Sequence, residues 1–398
     1  MPLTGIKVLD FSRFLPGPYC SVLLADFGAD VVRIEQPHEV GKHRKVFGQE
    51  GLDDTAFKIA RAKEINGRNK RSILLDLRDD RAIAAVKQML KRADVLLHDY
   101  RPGVMEAMGL AYSETKRINP RLIYCAISAC GQSGPYRDLA GHDPIALALS
   151  GALTRFGSGP DDPRIIGAPV GDITAGTHAA VGILAALRAR DANGEGQLVD
   201  IAMSDCAFAL LTSVYQRYLV RGEAPPLHWQ AGNVGLWKTM DGKFLCTTDL
   251  EPRFWERFCR AIERPDLIAR QFDVTGPNSI VADLQAIFAT KTRDEWFAFL
   301  RAADCQVAPV YSLEEALEDP HHRARGTVTD VQDADAGKVT QIGPLVKLNS
   351  TPARIRSLGR LPGSSTRTVL EEFGVEPELI EALADVGTSQ EHKPGTSI

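Results

Sequence analysis

Two short β-branched segments near the N-terminus flank a stretch with the length of one helix. Residues 6–11 (IKVLDF) and 29–35 (ADVVRIE) predict buried strands, and the turn at 15–18 opens a helix over 19–27. A strand, a crossover helix and a second strand form a βαβ unit, in which the two strands run parallel. The pattern therefore predicts an α/β fold built on a parallel sheet.

The same alternation continues through the first half of the chain. Further strands are predicted at 72–77, 94–98 and 122–128, with helices that include 87–90 and 104–108. This is a doubly wound layout, in which ligands bind beyond the carboxyl ends of the strands. The loop around Gly17 lacks the Gly-x-Gly-x-x-Gly pattern, so the sequence does not favour a nicotinamide dinucleotide.

The length of 398 residues predicts two domains or more. A helix predicted over 204–220 ends at a Gly- and Pro-containing segment, while 328–347 is rich in strand formers and 369–383 is helical. We divide the chain into a large α/β domain (1–200), a linker helix (201–225), a smaller α+β domain (226–326), a return segment that completes the large domain (327–388) and a disordered tail (389–398).

Charge and cysteine content exclude several function classes. Lys and Arg number 47 against 51 Asp and Glu, so no basic excess predicts a nucleic-acid partner. Seven cysteines are scattered without metal-ligand spacing, which favours free thiols in a reducing compartment and predicts no metal site. The N-terminus does not resemble a secretory signal, and we expect no apolar run long enough to span a membrane. These features predict a cytoplasmic protein without a membrane partner.

Asp172 is the most prominent candidate for chemistry. It lies among small and apolar residues in the segment 169–176 (PVGDITAG), before an Ala-rich helix predicted over 175–190. A carboxylate in such surroundings can be desolvated and used as a nucleophile or a proton carrier. A lone Asp before a helix is also a common N-cap. The residues by themselves leave both interpretations open.

Several ordered motifs match one family. They are residues 15–20 (LPGPYC), 24–35 (LADFGADVVRIE), 69–72 (NKRS), 100–104 (YRPGV), 119–124 (NPRLIY), 131–136 (GQSGPY) and 194–205 (GEGQLVDIAMSD). Over nearly its whole length the chain resembles the CaiB/BaiF family, also called the family III CoA-transferases. The resemblance implies that family's fold, an interlocked homodimer and an acyl-CoA substrate, with coenzyme A entering as part of the substrate and no permanently bound cofactor.

The resemblance implies a role for Asp172 in two reactions. In the transferases the corresponding aspartate attacks the thioester to form a mixed anhydride, and in the α-methylacyl-CoA racemases it exchanges the α-proton opposite a histidine. His142, in the segment Gly141-His142-Asp143, resembles the racemase pattern, whereas the transferases more often carry an aromatic residue there. A histidine without that context is more often structural.

A third catalytic residue is implied at Glu251. The Glu251-Pro252 pair before an aromatic helix is similar to the racemases, in which that glutamate reaches the active site of the partner chain. Without the resemblance, it is an acidic residue and a proline opening a helix. The segment 173–176 (ITAG) is closer to the transferases, since racemases tend to have more glycines there.

Three cations are implied as contacts of coenzyme A. They are Arg33, Lys70 and Arg101, each next to a predicted strand end and suited to phosphates. The chain has Asp99-Tyr100 where the family usually has Asn-Phe.

We therefore expect an enzyme that racemises a 2-methylacyl-CoA by α-proton exchange. CoA transfer between carboxylic acids through a mixed anhydride on Asp172 is the alternative. A catalytically silent member that acts as a binding partner would be expected to lose the aspartate, and this chain retains it.

Overall fold

The computed structural model describes residues 1–46, 48–157, 159–227 and 232–387. Strands β1 to β11 span Lys7–Asp10, Asp30–Glu35, Lys70–Leu74, Val95–His98, Ile123–Ser128, Leu198–Ala202, Val234–Lys238, Phe244–Thr248, Val307–Pro309, Val328–Asp333 and Gly337–Ile342. Helices α1 to α18 span Pro16–Asp26, Pro37–Val46, Asp54–Lys63, Asp80–Leu90, Val104–Ala107, Tyr112–Ile118, Asp143–Leu149, Leu153–Phe156, Val170–Asn193, Met203–Ala207, Thr212–Arg221, Pro252–Ala261, Val281–Phe288, Arg293–Ala302, Leu313–Glu318, Pro320–Ala324, Thr366–Glu372 and Pro377–Gly387.

The main sheet has six parallel strands in the order β3-β2-β1-β4-β5-β6. Its centre is β1, where Val8 pairs with Val31 on one side and with Val95 on the other. The chain adds strands outward from β1 in one direction and then returns to β4 to build in the other. The carboxyl ends of β1 and β4 therefore form the switch point at which such sheets open a crevice.

Helices cover both faces of this sheet. Because side chains alternate along a strand, Leu9 and Val8 of β1 enter two different cores. The core containing Leu9 includes side chains of α4 and α17, and the core containing Val8 includes side chains of α1 and α9. The predicted doubly wound parallel sheet is confirmed.

Helix α9 is long and apolar enough, by length and composition, to cross a membrane. The expectation that no segment reaches such a length is wrong for this helix. Its residues Ala175, Ala179 and Ile183 are fully buried in the core that contains Val8. A Cβ at Gly176 would lie 2.5 Å from the carbonyl oxygen of Pro16, so the small residue permits close packing on α1. In this structure α9 is a core helix.

The chain divides into two compact units. The first contains Met1–Ser213 and the described residues from Arg323 to 387, and the second contains Val214–His322. The first boundary falls inside the predicted linker 201–225, and the second lies four residues before the predicted end at 326. The predicted tail 389–398 lies outside the described residues.

The second unit has its own sheet and core. Strands β7, β8 and β9 form an antiparallel sheet in that order. The core of this unit is aromatic, with Trp237, Trp255, Phe258, Phe288 and Trp296 buried together. Helix α12 contributes Trp255 and Phe258 to that core and begins at Pro252, four residues after the end of β8.

Two predicted helices are interrupted. The helix expected over 204–220 consists of α10, a 3₁₀ turn at Phe208–Leu211 and α11. The segment expected to be helical over 369–383 is divided between α17 and α18, because Gly374, two residues after the end of α17, adopts φ +75°.

Candidate active site

A cavity of about 250 Å³ lies at the switch point of the six-stranded sheet, within the first unit. The loops after β1, β4 and β5 supply part of its wall, and the starts of α7, α9 and α10 supply the rest. Its lining includes Phe14, Asp99, Arg101, His142, Asp172 and Met203. The structure thus brings three of the predicted site residues, Asp172, His142 and Arg101, to one cavity.

Asp172 is the third residue of α9, which begins at Val170 rather than at the predicted residue 175. Its side chain is half-buried, and no hydrogen bond reaches its carboxylate from another residue in the described part of the chain. Burial raises the pKa of Asp172 to about 7, and the neighbouring charges of Asp143 and Asp99 act in the same direction. The group can therefore take up or release a proton near neutral pH.

The N-terminus of α9 is capped by Asp143, not by Asp172. One Asp143 oxygen, Oδ1, accepts hydrogen bonds from the backbone nitrogens of Gly171 at 2.6 Å and Asp172 at 3.0 Å. A Cβ on Gly171 would lie 2.9 Å from that oxygen, so the glycine leaves room for the carboxylate. The interpretation of Asp172 as an N-cap is wrong, because another helix supplies the cap.

Sequence reasoning did not assign this function to Asp143. The available signal was its position directly after His142 at the start of a helix, where α7 indeed begins. Its hydrogen-bond partners lie 28 and 29 residues further along the chain.

His142 precedes α7 and lies on the wall of the cavity. Its exposed imidazole packs edge-to-face on the ring of Phe14, with centroids 5.5 Å apart and an interplanar angle of 86°. His142 and Asp172 therefore present two proton-carrying side chains to the same space.

The two predicted arginines line neighbouring cavities. Arg101 is exposed in the cavity with Asp172, and its Nη2 donates to the carbonyl of Asp138 at 2.6 Å. Arg33 lines a second cavity of about 240 Å³ between the ends of β1 and β2 and helix α2. Its guanidinium lies 3.6 Å from the carboxylates of Glu35 and Glu64. Arg13 and Phe14 belong to the walls of both cavities.

Lys70 does not occupy the position expected of a phosphate contact. Its ammonium is buried and donates to Ser21 Oγ at 2.7 Å, Pro18 O at 3.0 Å and Asp10 Oδ2 at 3.3 Å. Burial lowers the pKa of Lys70 to about 8. Because three protein acceptors take its three N–H groups, Lys70 is a buried structural residue in this fold.

Glu251 belongs to the second unit, where it directly precedes α12 and Pro252. Its Oε2 accepts a hydrogen bond from Gln306 Nε2 at 3.2 Å. The backbone nitrogen of Gln306 in turn donates to the buried carboxylate of Asp249 at 2.7 Å. Burial raises the pKa of Asp249 to about 6. The contribution of Glu251 to a partner's active site stays a prediction.

Comparison with known proteins identifies the family. The model of CoA-transferase family III matches residues 3–362. Human alpha-methylacyl-CoA racemase is 34% identical over 392 residues, covering 96% of each chain. The alpha subunit of succinyl-CoA–L-malate CoA-transferase from Chloroflexus aurantiacus is 32% identical over 400 residues, covering 96% of this chain and 91% of its own.

Solved structures agree with this assignment. A CaiB/BaiF family protein from Brucella suis superposes with a TM-score of 0.78 at 26% identity, covering 94% of this chain and 99% of its own. The relatives include both a racemase and a CoA-transferase, each matched almost end to end. The chain is therefore an enzyme of CoA-transferase family III.

Proposed function

We propose that this enzyme racemises a 2-methylacyl-CoA by exchanging the α-proton between His142 and Asp172. The observation that carries the proposal is that both side chains line one cavity at the carboxyl ends of the parallel strands. The similarity to human alpha-methylacyl-CoA racemase over nearly the whole chain supports it.

Racemisation needs a base on one side of the α-carbon and an acid on the other. The pKa of Asp172 near 7 suits it to both functions at neutral pH. In this proposal the imidazole of His142 is the second proton carrier. One group removes the proton next to the thioester carbonyl, and the other returns a proton to the opposite face. The enolate oxygen formed between these steps needs hydrogen-bond donors or positive charge nearby.

The coenzyme A part of the substrate extends away from these two residues. Arg101 is available in the same cavity, and Arg33 lines the cavity next to it. The two cavities share Arg13 and Phe14, so an extended ligand can enter both. The exposed Arg101 suits a phosphate group directly, whereas Arg33 lines the second cavity as a buried guanidinium beside Glu35 and Glu64.

The assembly and the location are also proposals. In an interlocked homodimer, Glu251 of the partner subunit would orient the imidazole of His142. The chain's own Glu251 is exposed, and its side chain accepts a hydrogen bond from Gln306. All seven cysteines are free thiols, which supports a cytoplasmic location.

CoA transfer is the second candidate. It is favoured by the Ile173-Thr174 segment and by the similarity to the malate CoA-transferase subunit. In that reaction an oxygen of Asp172 attacks the thioester carbon, the carbon–sulfur bond breaks and the coenzyme A thiolate leaves. The acyl group then remains on Asp172 as a mixed anhydride.

Isotope exchange separates the two reactions. We expect the enzyme in deuterated water to exchange the α-hydrogen of a 2-methylacyl-CoA with no acceptor acid present. The His142→Ala variant should reduce the rate by about a hundredfold or more. His178→Ala, which removes an exposed histidine on α9, is the matched control. Absence of exchange across a panel of branched acyl-CoAs, together with CoA transfer to an added dicarboxylic acid, would establish the second candidate instead.

A further inference from the structure

We propose that Asp99 is a positioning residue that holds the ring of Phe14 against His142. It does so by anchoring the loop that follows β1 to the loop that follows β4. The inference rests on the proposed function, since it assumes that His142 and Asp172 exchange the α-proton.

The anchor consists of hydrogen bonds to the backbone of the β1 loop. Asp99 Oδ2 accepts from the backbone nitrogens of Arg13 at 2.9 Å and Phe14 at 3.2 Å. The Asp99 side chain is only 5% exposed, and its Oδ1 has no hydrogen-bond partner in the described ranges of the chain. A buried carboxylate is unfavourable unless it is compensated, and here the two backbone N–H groups and the guanidinium of Arg13 compensate it.

The side chain of Arg13 adds further contacts between the β1 loop and residues 99 and 100. Its Nε lies 3.5 Å from Asp99 Oδ1, and its guanidinium stacks over the ring of Tyr100 at 4.1 Å. Its Nη1 donates to Glu39 at 3.2 Å. The consecutive residues Asp99 and Tyr100 therefore fix the β1 loop through its backbone and through a side chain.

Phe14 connects the anchored loop to His142. Phe14 is 43% exposed, so core packing alone does not determine the position of its ring. Its backbone nitrogen is bonded to Asp99, and its ring meets the imidazole of His142 edge-to-face. Loss of the Asp99 carboxylate frees the loop and with it the surface against which His142 rests.

The charge of Asp99 also acts on Asp172. It is one of the two neighbouring carboxylates, with Asp143, that add to burial in raising the pKa of Asp172. Among the residues that the structure describes, the other charged or titratable side chains on the cavity wall are Arg13, Arg101 and His142. Removal of the Asp99 charge should therefore move the titration of Asp172 toward lower pH.

Two substitutions separate these contributions. Asp99→Ala removes both the acceptor and the charge, and we expect it to lower kcat for α-proton exchange about tenfold with less change in KM. Asp99→Asn keeps an oxygen acceptor and should recover most of that loss, while the pH profile of exchange moves to lower pH. A double-mutant cycle with Phe14→Leu should be strongly non-additive, because both changes remove the same contact with His142.

Asp333→Ala is the matched control. Asp333 has a 4% exposed side chain, accepts two backbone N–H groups and pairs with Arg360 at 3.1 Å, but it lies in the β10–β11 hairpin. The proposal would be overturned if Asp99→Ala exchanged the α-proton as fast as Asp333→Ala while His142→Ala was inactive. Full exchange by both His142→Ala and Asp172→Ala would instead overturn the proposed function. If Asp99→Ala does not fold, the other two variants provide the test. The positioning role is overturned if Phe14→Leu exchanges the α-hydrogen at the wild-type rate and Asp99→Asn has the pH profile of the wild type.

Discussion

Asp143 Oδ1 lies 3.0 Å from the backbone nitrogen of Asp172, and this contact joins the start of α7 to the start of α9. A carboxylate at the N-terminus of a helix accepts hydrogen bonds from backbone N–H groups that have no acceptor within the helix. Because Asp143 supplies the cap, the carboxylate of Asp172 is left free to face the cavity. The same proximity of two carboxylates contributes to the raised pKa of Asp172.

The first prediction concerns Asp172→Ala. We expect it to abolish both α-proton exchange and CoA transfer, since either reaction uses this carboxylate. The variant should not be destabilised by the roughly 1 kcal/mol that loss of a cap costs, because the cap of α9 comes from Asp143. Thermal unfolding measured beside both activity assays checks this, and activity at the wild-type level in a folded variant would refute it.

The second prediction concerns stability and pH. The pKa of Asp172 is raised from its ordinary value near 4 to about 7, so between these values the folded state binds more protons at this site than the unfolded state. Stability from this group is therefore present at low pH and is lost as the pH rises through about 7. Asp172→Asn should raise the melting temperature relative to wild type at pH 8 more than at pH 4. An equal difference at both pH values would contradict the raised pKa.

The third prediction contrasts the effects of replacing one buried lysine, Lys70, and one exposed arginine, Arg101. Lys70→Ala leaves the buried carboxylate of Asp10 without its cation and should destabilise the fold by about 3–5 kcal/mol. Arg101→Ala, at an exposed position on the cavity wall, should leave the melting temperature unchanged and raise KM for the acyl-CoA about tenfold or more. Denaturant unfolding and steady-state kinetics of both variants provide the test. If Lys70→Ala raised KM without destabilising the fold, Lys70 would be a contact of coenzyme A rather than a structural residue.

The fourth prediction concerns the shared active site. If Glu251 of the partner subunit completes each site, co-expressed Asp172→Ala and Glu251→Ala chains form heterodimers with one intact site and one doubly defective site. Random pairing should then restore about one quarter of wild-type activity, although each variant alone is inactive. Heterodimers that are isolated with two different tags and found inactive would show that the sites are not shared in this way.

Local patterns predicted the elements that depend on local periodicity. The β-branched runs before and after α1 are found as β1 and β2, and their crossover connection requires the parallel pairing observed between Val8 and Val31. The breaks in other elements were not predicted. The 3₁₀ turn at Phe208–Leu211 has no glycine or proline to signal it, and the start of α9 at Val170 depends on a cap from Asp143.

The amino-acid sequence by itself determined the parallel sheet, the family and the identity of Asp172 and His142 as candidates, because these follow from short periodic patterns and ordered motifs. Only the tertiary structure decided that Lys70 is buried against Asp10, and that Asp99 anchors the loop carrying Phe14. These contacts join residues 60 and 85 positions apart. Such pairings are selected by how the strands and helices pack, and that information is absent from any local stretch of the chain.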